Sequence, residues 1–108
     1  MAKPIHFQII NEARSLIGDE KRWCRSEMAL DGAGRTVCAT ADKATKWCAY
    51  GALIVAAYRV TGDTDRAFDL VDGAVSAFGG CDALMRLNDT KGHFEVLALF
   101  DQVINGLA

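Results

Sequence analysis

A thiol, an imidazole and a carboxylate that could work together stand at Cys48, His93 and Asp89 of this 108-residue chain. They are the components of a cysteine nucleophile, its general base and the group that orients the base. His93 is well suited to the second role. At the start of a helix the dipole disfavours the charged imidazole and keeps a neutral ring available. Cys48 is less well suited, because periodicity puts it inside a helix, several residues past the N-terminus that would favour a thiolate. No glycine-rich oxyanion loop adjoins either residue. The competing reading is structural, and we favour it. Cys24 and Cys48 are then small core residues beside Trp23 and Trp47, and His93 is a capping or core histidine bonded to Asp89 or to a backbone group. On that reading Trp23, Cys24, Trp47, Asn88, Asp89 and His93 make one structural or binding junction.

Other chemistries fit less well. Cys24, Cys38, Cys48 and His93 are a suitable inventory for zinc, which would support a helical fold, but they lack close ligand spacing. Asp65, Asp69 and Asp72 fall on one helical face with no turn to converge their oxygens, so they read as a solvated row. Gly32-Ala33-Gly34 lacks the third glycine of a dinucleotide loop, there is no Gly-Lys-Ser/Thr, and no carboxylate series follows Asp31-Gly32. The expectation is no metal and no cofactor. His6 reads as a surface or boundary residue.

The elements that must position these residues are helical. From Trp47 to Tyr58 almost no side chain is polar, and the run is far short of the ~20 residues of a membrane span, so it reads as the central helix of a packed domain. Thr40 is the expected N-cap, Asp42 lies in the first turn, and Thr61-Gly62 closes the helix near Val60. Gly51 within it costs ~1 kcal/mol relative to alanine, which implies a packing or functional reason. Before it, Pro4 opens an amphipathic helix carrying Ile5, Ile9, Ala13, Leu16 and Ile17 on one face up to Gly18. After it, Asp63 or Thr64 caps a helix striped by Ala67, Phe68, Val71, Ala74, Val75 and Phe78, ended by Gly79-Gly80. Cys81 to Leu87 is a short helix and Asn88 to Gly92 a polar loop. His93, Val96, Leu97, Phe100, Val103, Ile104 and Leu107 form the inward face of a last helix capped by Asp89 or Thr90. Asp31 to Gly34 is the strongest turn signal and admits one small β-hairpin near residues 29–37. The fold class expected is therefore all-α, a single domain over residues 1–108 with four to five helices around a buried central one.

With 51% hydrophobic residues, a chain of this length buries a sizeable core without disulfide or metal staples. No Cys-x-x-Cys pair and no secretory leader pattern are present, so a cytoplasmic protein with reduced thiols is expected. The net charge of −2 argues against nucleic-acid and anionic-membrane partners. The charge is uneven: nine Lys/Arg face six Asp/Glu up to Val60, and three face eight after it. The halves either interleave on folding or present a surface for head-to-tail association.

Several of these segments together resemble a family of small uncharacterised bacterial and phage proteins, a domain of unknown function. They are Trp23-Cys24, the Asp-Gly turn with Gly34-Arg35, Trp47-Cys48-Ala49-Tyr50-Gly51-Ala52-Leu53, Leu87-Asn88-Asp89, and His93-Phe94-Glu95-Val96-Leu97 through Asp101 and Ile104. The Trp-Cys-Ala-x-Gly-Ala-Leu block and the Asn-Asp pair are the most specific parts, and residues 63–80 the least family-like. The resemblance implies a bacterial or phage cytoplasmic origin and supplies no activity. The function expected is non-enzymatic, exerted by binding another protein or a second copy. The alternatives are a small cysteine-dependent enzyme and a zinc-supported fold.

Overall fold

The apolar run at the middle of the chain becomes the central helix, entered from a strand. The computed structural model describes residues 4–107. In chain order it contains α1 (Ile5–Leu16), a 3-10 turn (Glu20–Arg22), β1 (Ala29–Asp31), β2 (Ala44–Trp47), α2 (Ala49–Thr61), α3 (Thr64–Ser76), α4 (Cys81–Thr90) and α5 (His93–Leu107). The fold is mostly helical, with α1 and α3 packed against α2 and one short antiparallel ribbon. Ala49 and the whole run from Gly51 to Ala57 are buried.

The expected start of the central helix, with Thr40 as cap and Asp42 in the first turn, is corrected. Ala44–Trp47 is extended and pairs antiparallel with β1, Ala29 opposite Trp47 and Leu30 opposite Lys46. Threonine and tryptophan suit a half-buried strand, and the indole N–H of buried Trp47 reaches the Ala39 carbonyl at 2.9 Å. Helical geometry begins only after Cys48, which is itself the N-cap, with extended backbone and a thiol accepting the Gly51 N–H at 3.3 Å. The hairpin expected near residues 29–37 is present. Its arms close through Asp31 N–H to Arg35 O and Val37 N–H to Ala29 O, while β2 takes the other edge of β1. The buried Asp31 carboxylate organises its turn by accepting the N–H groups of Ala33 and Arg35, both at 2.9 Å.

Both ends of the α2–α3 connection follow the sequence. Gly62 ends α2 in the left-handed region at φ +70°, and the Asp63 side chain caps α3 through the N–H groups of Asp65 and Arg66. Two burial expectations change. Phe68, expected within the α3 stripe, is 47% exposed, because it lies at the margin of that stripe rather than its centre. On α5 only Val96 and Phe100 are buried. Leu97, Val103, Ile104 and Leu107 are half-buried, because this helix lies at the edge of the bundle, chiefly against α1.

The polar loop expected at residues 88–92 is also corrected. Asn88, Asp89 and Thr90 form the last turn of α4, so neither Asp89 nor Thr90 caps α5. Thr90 instead donates its hydroxyl to Arg86 O at 2.6 Å. Asparagine and aspartate are poor helix formers because their side chains compete for the backbone, but here both side chains have distant partners that hold them in place.

Candidate functional site

Three segments meet at the N-terminus of α2: residues 23–28, residues 47–51 and the last turn of α4. The first two run side by side. Trp23 and Trp47 form a parallel bridge, Cys24 N–H donates to Trp47 O at 3.1 Å, and Cys48 N–H donates to Met28 O at 3.1 Å. Gly51 explains itself at this point, since a Cβ there would run into the Met28 carbonyl. Between them, Ser26 adopts the left-handed region at φ +67°, a conformation few non-glycine residues take. The Asp89 carboxylate holds it there by accepting the Ser26 N–H at 2.8 Å.

Asn88 is the hub of the junction and is 1% exposed. Its Oδ1 accepts the Trp23 indole N–H at 2.7 Å and the Ala49 N–H at 2.9 Å. Its Nδ2 donates to Cys24 O at 3.1 Å and to Asp89 Oδ1 at 3.2 Å. Only one orientation of the amide sets its oxygen against two donors and its nitrogen against two acceptors, so the network fixes the assignment. Ala49 is the first residue of α2, so Asn88 supplies from a distant helix a partner for one of the N–H groups that a helix start leaves open.

Trp23, Cys24, Trp47, Asn88 and Asp89 of the expected junction therefore meet at the start of α2, and Asp89, expected as a cap of α5, holds Ser26 instead. His93 joins through its ring, 5.6 Å from that of Trp23, over which the Arg25 guanidinium also sits at 5.1 Å. The bond expected between His93 and Asp89 or a backbone group is made to backbone, with Nε2 2.6 Å from Ile17 O. A carbonyl can only accept, so Nε2 carries the proton.

Cys48 does stand at a helix N-terminus, contrary to its expected place inside the helix. That position favours a thiolate, but burial dominates and pushes the Cys48 thiol up, the Gly51 N–H offsetting only part of it. Burial, followed by the neighbouring Cys48, pushes the Cys24 thiol up to about 11. Neither His93 nor Asp89 hydrogen-bonds Cys48; the one is committed to Ile17 and the other to Ser26 and Asn88. A cleft of about 190 Å³ opens onto the Cys48 side, walled by Ser26, Glu27, Met28, Met85 and Asp89 among others. Cys38 is exposed on the loop before β2, and among the described residues no three His, Cys, Asp or Glu side chains are placed to share a metal ion. Asp65, Asp69 and Asp72 are exposed, as a solvated row should be.

A second feature escaped sequence reasoning. Met28, Tyr58 and Phe68 are 42%, 40% and 47% exposed, and all three line one cleft of about 300 Å³ between the hairpin region, α2 and α3. Cys38, Ala39, Thr40, Ile54, Thr64 and Ala67 complete its wall. The three large residues come from three segments, the bend before β1, α2 and α3, and periodicity within any one of them carries no sign of the cleft. No curated protein and no solved structure matches the chain. The model of a family of unknown function (DUF6197) fits residues 5–105, almost the whole length, and the chain belongs to that family.

Proposed function

We propose that this domain acts by binding a protein, and that the cleft between Met28, Tyr58 and Phe68 receives an apolar side chain of the partner. The observation that carries this reading is the meeting of three large, substantially exposed apolar side chains on one concave surface, where an isolated one would need no explanation. Exposed Asp65 and Asp69 flank Phe68 on α3, so the complementary partner segment carries Lys or Arg beside its apolar anchor. A second copy of the chain could supply both, since its first 60 residues hold nine Lys/Arg against six Asp/Glu. A cysteine-based enzyme has less support, because the Cys48 thiol is buried and has no base bonded to it. The setting we infer is the cytoplasm of a bacterium, for a bacterial or a phage-encoded chain, in keeping with four unpaired cysteines and with no helix among the described residues long and apolar enough to cross a membrane.

The test is in-cell crosslinking of the wild type and Phe68→Glu expressed at equal level, with equal melting temperatures confirming that the exposed substitution leaves the fold intact. The wild type is expected to give a discrete crosslinked species that the variant loses. An identical crosslinking pattern in the two would rule the cleft out as the binding face. Sedimentation of the purified wild type then tells whether the partner is a second copy.

A further inference from the structure

We propose that Cys24 and Cys48 are a redox pair that forms a reversible intramolecular disulfide by exchange with a low-molecular-weight disulfide. The Trp23–Trp47 bridge, one bond of which is Cys24 N–H to Trp47 O, sets the two Trp-Cys dipeptides in parallel. The backbones of Trp23 and Cys48 are both extended, so Cys24 and Cys48 lie on the same side of the pair, opposite the two indoles. Neighbouring strands put such residues about 5 Å apart at Cα, inside the window of roughly 4.4–6.8 Å that a disulfide spans. The two thiols are close enough for Cys48 to raise the pKa of Cys24. Their sulfur contacts are weak, Cys24 to Glu27 O at 3.4 Å and Cys48 to the Gly51 N–H at 3.3 Å, and rotation about one bond releases them.

The surroundings divide the labour between them. Cys48 borders the cleft walled by Ser26, Met28 and Asp89, whereas Cys24 is not part of its wall. The Cys48 thiolate attacks one sulfur of the small disulfide, whose S–S bond breaks and releases the first small thiol. The Cys24 thiolate then attacks the Cys48 sulfur of the mixed disulfide and expels the second. The two protons lost by the protein end on the two small thiols, so the protein is oxidised by two electrons and the small disulfide is reduced by two. Cys38 and Cys81 are not part of the pair; the one lines the separate cleft beside Tyr58 and Phe68, and the other bonds Met85 Sδ at 3.6 Å.

The experiment equilibrates the intact protein with reduced and oxidised glutathione, traps free thiols and maps the linked peptides by mass spectrometry. The expected product has lost two hydrogens, links Cys24 to Cys48, leaves Cys38 and Cys81 free, and reverts with reductant. Its formation constant should be at least tenfold larger in the native protein than in urea, because the fold holds the pair together. The Cys38→Ser/Cys81→Ser double variant should behave as wild type, and Cys24→Ser should stop at the mixed disulfide on Cys48. Three results would overturn the proposal: a linkage through Cys38 or Cys81, a wild-type protein that stops at the mixed disulfide, or a constant no larger in the native state than in urea. The main measurement is made on the wild-type chain, so a variant that fails to fold does not remove the test.

Discussion

Asn88 shows how much one buried polar side chain can organise. Its amide makes four hydrogen bonds, to Trp23, Ala49, Cys24 and Asp89, and so ties the segment after α1 to the start of α2 and the end of α4. Removing it would leave the indole N–H, the first N–H of α2 and the Cys24 carbonyl without their partners. A buried group left unpaired costs about 1–3 kcal/mol, so Asn88→Ala should lower stability by about 2–4 kcal/mol. Asn88→Asp should fare no better at neutral pH, because it keeps the acceptor but loses the donor and buries a charge beside Asp89. Chemical denaturation decides the matter: a loss under ~1 kcal/mol for Asn88→Ala would mean that the network adapts and is not a clamp. The residue identities of the site were legible in the sequence, since Trp-Cys occurs twice and Asn-Asp stands out, but their roles were not. Asparagine and aspartate before a glycine read as loop and cap, and only the long-range partners, from 39 to 65 residues away, turn Asn88 into the hub.

At the scale of elements, the body of each helix was readable and several ends were not. Caps within one helix, such as Asp63 and Gly62, are local and appear where the sequence puts them. The start of α2 depends instead on β1, because the Ala44–Trp47 segment is extended only while Ala29–Asp31 pairs with it. No periodicity within residues 40–48 could announce the partners at Ala29, Leu30 and Asp31. Gly51 joins the two levels. In an ordinary exposed helix, Gly→Ala stabilises by about 0.5–1 kcal/mol. Here the added methyl group would meet a carbonyl that is itself fixed by the Cys48 N–H, so backbone must shift on one side or the other. Gly51→Ala should therefore be destabilising by about 1–3 kcal/mol. Gly106, in α5 with open space around it, provides the contrast and should gain modestly from the same change. If equilibrium unfolding finds both variants stabilised, the close approach of the Met28 turn to α2 is wrong.

For the molecule as a whole, the distribution of burial sets an order of local stability. α2 is enclosed by α1 and α3, capped from α4 and joined to the ribbon, and its residues from Gly51 to Ala57 are all out of solvent. α5 is different. It is fastened by Val96 and Phe100, the latter packed on Phe78 with ring centres 4.8 Å apart, and by His93 on Ile17 at one end. Beyond Phe100 its ties are the Arg14–Asp101 ion pair at 2.8 Å, which is partly exposed, and side chains only half-buried. An exposed ion pair contributes at most about 1 kcal/mol, and half-buried apolar groups give a fraction of the roughly 25 cal/mol per Å² that full enclosure would secure. Opening the last two turns of α5 thus exposes little surface, whereas opening α2 requires the three-helix core to come apart. Native-state hydrogen exchange should accordingly find the amides of Leu53 to Ala57 exchanging only through global unfolding. Those of Val103 to Leu107 should exchange through a local opening that denaturant barely promotes, and Phe100→Ala should extend that opening back towards His93. If the two groups of amides instead share one free energy and one denaturant dependence, α5 belongs to the same cooperative unit as α2, and its edge position does not weaken it.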